Sequence, residues 1–98
     1  MNEEELLKVA MIKNLMHSVF QQVFQNFIEI EELLCKYIEE TKNNGLLSRF
    51  NILKTKTNTI KSNIDNMQTL DEYERIQSSM VELFSDLENI RNCINEKN

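Results

Sequence analysis

The most regular stretch of this sequence is residues 73–94, which read YERIQSSMVELFSDLENIRNCI. Apolar side chains recur in it at alternating steps of three and four residues, at Tyr73, Ile76, Met80, Leu83, Leu87, Ile90 and Ile94. This spacing places them on one side of an α-helix, as in a coiled coil. The preceding residues Thr69–Glu72 have the pattern of a capping box, so we predict a helix over residues 70–96.

Two other stretches have the same period. Over residues 3–42 the repeated apolar positions are Val9, Ile12, Met16, Val19, Val23, Ile30, Leu33 and Tyr37, with Phe20, Phe27 and Leu34 on one flank. Over residues 46–67 they are Leu46, Phe50, Leu53, Thr57, Ile60, Ile64 and Met67. The β-branched residues of this second stretch make a strand the competing interpretation, but the spacing follows the helical period.

The composition favours long helices, because the chain has no proline and a single glycine. That glycine belongs to Asn43–Gly45, whose residue types tolerate the left-handed conformation that ends helices. Residues 45–68 are net basic and lie between two net acidic segments, which suits a middle helix that neighbours both others. We therefore predict one all-α domain over residues 1–98: an antiparallel three-helix (up-down-up) bundle with a long first helix and coiled-coil-like packing.

Charge and hydropathy exclude several classes of protein. The net charge of −5 disfavours binding to nucleic acid and to anionic membrane surfaces, which require clustered lysine and arginine. No apolar run approaches the ~20 residues of a membrane-spanning helix. The N-terminal residues 1–5 are acidic, whereas export and mitochondrial signals begin with basic residues, so we expect a cytoplasmic protein.

We predict no catalytic residue, no cofactor site and no metal site. Cys35 and Cys93 form no CxxC motif, and we expect both thiols to be reduced and unpaired. His17 has no acid or thiol at the neighbouring helical offsets, which favours a structural or solvated side chain. The glutamates of the first helix lack the Glu-x-x-His pattern of di-iron bundles and are expected to form a solvated face.

Asn26 occupies an apolar position of the first stripe. A polar residue there can set register or oligomeric state through a buried hydrogen bond. Alternatively, the first helix is slightly rotated, so that Phe27 enters the core and Asn26 lies on its rim. The sequence leaves these two interpretations open.

The first helix carries apolar residues outside its main stripe, at Phe24, Ile28, Cys35 and Ile38, and the third adds Val81 and Phe84. A helix that is apolar on two sides is either central in a bundle or part of an interface. Because the first helix is longer than the second, we expect its N-terminal third to project and to bind a partner, or to fold back at a kink. The predicted interface consists of Val9, Ile12, Met16, Val19, Phe24 and Ile28, and the predicted complex is a homodimer or a hetero-oligomer.

The function that these features favour is a non-enzymatic protein–protein interaction module, such as an adaptor, an assembly subunit or a small regulator. One alternative is an acidic inhibitor that caps a basic site on an enzyme, as an immunity protein, antitoxin or phage anti-defence protein does. Another is a helical secretion partner or chaperone, because Phe84–Glu88 resembles the tail signal of the small Esx-like partners of type VII secretion. The chain departs from that family's pattern at the Trp-x-Gly turn, where it has Asn43–Gly45, and in its three expected helices.

Overall fold

A computed structural model describes residues 2–96, and over that range the regular structure consists of three helices. They are α1 (Glu3–Thr41), α2 (Leu47–Asp65) and α3 (Asp71–Glu96). Each pair of helices is in contact. The predicted all-α three-helix bundle is therefore confirmed, and each helix end lies within two residues of its expected position.

The first helix begins at a well-formed N-terminal cap. The Asn2 side chain accepts a hydrogen bond from the backbone N–H of Glu5 at 2.8 Å. Glu3, Glu4 and Glu5 place negative charge in the first turn, where the helix dipole is positive. Together these contacts stabilise the end of α1 that has the fewest neighbours.

The turn between α1 and α2 differs from expectation in one respect. The left-handed residue is Lys42, with φ 61°, and not a member of Asn43–Gly45. The helix ends one residue earlier than expected, and the Thr41 hydroxyl, which donates to the carbonyl of Tyr37 at 2.7 Å, accepts from the N–H of Asn43 at 3.2 Å across the turn. Asn43 then accepts from the N–H of Gly45 at 2.8 Å, which shapes the remainder of the turn.

The connection between α2 and α3 uses only part of the predicted capping box. The Glu72 carboxylate reaches back as expected, but it accepts from the backbone N–H of Gln68 at 3.2 Å and not from that of Thr69. Met67 is 2% exposed and anchors the connection in the core. The backbone N–H that Glu72 contacts therefore lies one residue before the one that a standard capping box uses.

The threonine-rich part of α2 is helical throughout, which answers the alternative of a strand. Thr55, Thr57 and Thr59 each donate their hydroxyl to the carbonyl four residues earlier, at 3.3, 2.7 and 3.0 Å. Thr57 is 2% exposed, so this bond satisfies a polar group inside the core. Local hydrogen bonds thus offset the low helix propensity of these residues.

The core follows the predicted stripes of α2 and α3 and a rotated stripe on α1. Phe20, Phe27 and Leu34, expected on the flank, are buried, whereas Val19 is 46% exposed. The buried apolar residues of α1 are Val9, Met16, Phe20, Val23, Phe27, Ile30, Leu34 and Tyr37. Phe27 also stacks on Phe50 of α2 with ring centroids 4.8 Å apart. Of the two interpretations of Asn26, rotation of the helix is the one that the structure shows.

The expectation that the N-terminal third of α1 projects alone is wrong. Asp65, the last residue of α2, lies with Oδ1 3.4 Å from Nε2 of His17, so α2 covers α1 well into its N-terminal half. Residues 66–70 continue toward the N-terminal end of α1. As a result, α3 begins at Asp71 near the level of Val9, which is buried. The bundle is 56 Å long, about the length of α1 itself.

Candidate interaction surface

The six residues predicted to form an interface lie in three different environments. Val9 and Met16 are buried inside the bundle, at 8% and 2% exposure. Ile12, Phe24 and Ile28 are partly buried and pack against the core. Val19 is exposed. The stripe that suggested an interface therefore serves mainly the fold of the single chain.

Ten large apolar side chains of the described residues are exposed, and one set of them lies along the outside of α1 and α3. It consists of Met11, Leu15 and Val19 on α1 and Val81 and Phe84 on α3, with exposed fractions of 60, 65, 46, 65 and 47%. We call this set the α1/α3 face. Val81 and Phe84 were recognisable in the sequence as residues off the main stripe, whereas Met11 and Leu15 were missed. Met11, Leu15 and Val19 are four residues apart, which places them on one side of the helix, but the three-and-four repeat of the main stripe drew attention away from this spacing.

The pairing between α1 and α3 brings the two halves of this face together. Asn26 donates to Glu88 at 3.0 Å, which places these two residues at the same level of two parallel helices. Val19 and Val81 each lie seven residues before one member of that pair. Because both helices rise equally per residue, Val19 and Val81 share one level. The face is therefore continuous across the groove between the two helices.

Charged residues are absent from the middle of this face. Residues 14–28 contain no Asp, Glu, Lys or Arg. On α3, Glu82 and Asp86 lie within two residues of face residues in sequence but turn toward Lys56 of α2, at 3.8 and 3.7 Å. These ion pairs are largely exposed and contribute little stability, but they direct the carboxylates away from the α1/α3 face.

A polar cluster borders the face at the end that lies toward the C-termini of α1 and α3. Arg91 Nη2 donates to Asn26 Oδ1 at 2.5 Å and lies 3.4 Å from Glu29, while Asn26 donates to Glu88. Arg91 Nε is buried without a hydrogen-bond partner, although Glu88 lies 3.5 Å away. Asn26 is thus a rim residue that sets the register between α1 and α3 within one chain.

The side chains that could take part in catalysis or metal binding are dispersed over the bundle. His17 and Asp65 form a half-exposed pair that the sequence spacing could not reveal, because it links α1 to the end of α2. Cys35 is exposed, and Cys93 is partly buried with Sγ 4.0 Å from Arg49; both are free thiols. Among the residues that the structure describes, no group of three or more His, Cys, Asp or Glu is placed to hold a metal ion.

Over the described part of the chain, no helix is both long and apolar enough to cross a membrane. No protein-family model matches the sequence, and no curated protein or solved structure proved similar to it. The arguments about function that follow therefore rest on the geometry of the bundle and on the chemistry of its surface.

Proposed function

We propose that this protein is a non-enzymatic interaction module that binds a protein partner, either a second copy or a different chain, through the exposed surface of its helices. An adaptor, an assembly subunit and a small regulator all act in this way. The partner is neither nucleic acid nor membrane, since a net charge of −5 opposes both.

The observation that carries this proposal is the α1/α3 face. The three helices already fill a core with apolar residues from every helix, so the face is not needed to complete the fold. Its five side chains are each about half exposed or more, and they lie together over two helices. Contiguous exposed apolar surface of this kind is typical of protein-binding sites.

The polar environment of the face supports the same conclusion. The positions around it carry amides and hydroxyls, including Ser18, Gln22 and Gln77, all of them exposed. The centre of a protein interface is depleted of charge and its rim is polar. The α1/α3 face has this arrangement.

An acidic inhibitor is the second candidate, and a separate observation favours it. Residues 29–40 of α1 carry five glutamates and a single lysine, and Glu32, Glu39 and Glu40 are exposed. The first helix thus has an uncharged middle and an acidic C-terminal end. Binding of a basic enzyme site would use the acidic end and would weaken steeply as salt is added.

One experiment in the native host separates the two candidates. A tagged copy is expressed as wild type, as Val81→Glu and as Ile52→Glu, and its complexes are isolated at low and at high ionic strength. Ile52 is the matched control, since it is an apolar residue of α2 with 58% exposure and lies outside the face. We expect complexes with wild type and Ile52→Glu at both ionic strengths, and their loss with Val81→Glu.

Two results would contradict the proposal. Complexes that survive Val81→Glu but dissociate in high salt assign binding to the acidic end and favour the inhibitor. If wild type, Val81→Glu and Ile52→Glu all isolate the same background proteins, the face binds nothing in the cell.

A further inference from the structure

We propose that the partner on the α1/α3 face is a second copy of this chain, packed antiparallel about a twofold axis. This inference rests on the proposed function and names the partner. In such a dimer the α1 and α3 helices of both copies form one central layer, and each α2 lies on an outer side. Leu15 and Val19 lie closest to the axis, because they are at the middle of the face.

The area of the face matches the requirement of a dimer. Exposed fractions of 46–65% correspond to about 500 Å² of apolar surface for its five residues. A stable interface of ordinary size buries about 800 Å² on each partner. About 65% of that area is apolar in homodimers. The apolar area that one copy must contribute is therefore about 500 Å², close to what this face exposes.

The polar groups around the face are self-complementary. In a twofold arrangement the same patch meets itself, with residue i of one copy against residue j of the other and j against i, so each rim group must find its partner within that patch. The amides of Gln22 and Gln77 and the hydroxyl of Ser18 can do this, because each carries both a donor and an acceptor. A partner of strong positive or negative charge would find no counter-charge among residues 14–28.

The charges beyond the rim favour one orientation, by the small amount that exposed ion pairs contribute. The face is centred near the level of His17, with Lys8 nine residues below that level and Asn26 nine residues above. Glu88 shares the level of Asn26, to which it is hydrogen-bonded. An antiparallel dimer brings Lys8 of each copy to the level of Glu88 of the other, whereas a parallel dimer brings Glu88 to Glu88. Lys8 is 58% exposed and lies 3.7 Å from Glu4. Glu88, which already contacts Asn26 and Arg91, is 35% exposed, so both side chains can reach this contact.

The test combines mass measurement with cross-linking of the full chain. Light scattering after size exclusion should give twice 11.7 kDa for wild type and for Ile52→Glu. Leu15→Glu and Val81→Glu should each raise the dimer dissociation constant at least about 100-fold. Both residues are 65% exposed, so far-ultraviolet circular dichroism should show unchanged helix content and separate loss of the dimer from loss of the fold.

A carbodiimide, which joins an amine directly to a carboxylate, tests the orientation. Within one chain, Lys8 and the level of Glu88 are separated by eighteen residues of α1, or about 27 Å, so a direct link between these residues must join two copies. We expect the Lys8–Glu88 peptide in the cross-linked dimer of wild type and its absence from Val81→Glu.

Two results would overturn the proposed dimer. One is wild type that remains monomeric at every concentration, and the other is a dimer that persists in both face variants. The host experiment then distinguishes the two proposals. Another protein lost specifically with Val81→Glu shows that the interaction module stands without the dimer, and background proteins alone show that both have failed.

Discussion

Two isoleucines of α2 offer a direct test of how the bundle is packed. Ile60 is 4% exposed and Ile52 is 58% exposed, although both lie within the same helix. Replacing each with alanine removes the same atoms from the same type of backbone. Any difference between the two variants therefore reports the tertiary environment and not the intrinsic preference of the residue for a helix.

The expected magnitudes follow from burial. Ile60→Ala removes three carbon atoms from the core, at about 0.8 kcal/mol for each buried methylene. The cavity left behind adds to this, so we expect a loss of about 2.5–4 kcal/mol. Ile52→Ala removes side-chain area that is mostly in water already, and alanine has the higher helix propensity. Its net effect should be below about 1 kcal/mol.

The measurement is urea unfolding followed by far-ultraviolet circular dichroism, at one fixed protein concentration because a dimer makes stability depend on concentration. A chain of this length has a total stability of about 5–15 kcal/mol, so Ile60→Ala should shift the midpoint strongly. The slope with urea should be the same in both variants. Equal losses for Ile60→Ala and Ile52→Ala would refute the assigned rotation of α2 about its own axis.

Three other predictions concern α3, the thiols and the polar rim. Leu83→Ala and Leu87→Ala should each lower stability by about 2–5 kcal/mol, because both side chains are fully buried; near-neutral urea midpoints would show that α3 does not pack as described. Cys35 should react with a maleimide faster than Cys93, which is partly buried, and peptide mapping without reductant should find no disulfide between them. Asn26→Ala should cost about 1–2 kcal/mol in thermal or urea unfolding, since its hydrogen bonds to α3 are lost; an unchanged midpoint would mean that this cluster contributes nothing to the fold.

Much of the fold was predictable from local patterns. The three-and-four spacing, with the turn and capping signals, predicted each helix to within two residues at its ends, and the stripes contained every buried residue of α2 and α3. The residue at the left-handed turn, Lys42, was missed. The turn contains a hydrogen bond from the N–H of Asn43 to the hydroxyl of Thr41, a specific local contact that residue propensity does not capture.

The candidate surface was predictable only in part. Val81 and Phe84 stood out as apolar residues off the stripe of α3, and they are exposed. Phe24 and Ile28 stood out in the same way on α1, yet they pack against the core. An apolar residue beside a stripe is buried or exposed according to which neighbouring helix lies on that side, and this is not encoded within its own helix.

The sequence by itself determined that the chain forms three amphipathic helices and which side of α2 and α3 faces inward, because periodicity is a property of each helix alone. Tertiary structure decided the rotation of α1, which buries Phe27 and leaves Asn26 on the rim, and the axial position of α3 against it. Both depend on how side chains of different helices fit together and on the path of residues 66–70. Rotation and axial shift between helices are relations among distant segments, so the exposure of Leu15 beside Val81 emerges only when the three helices are packed.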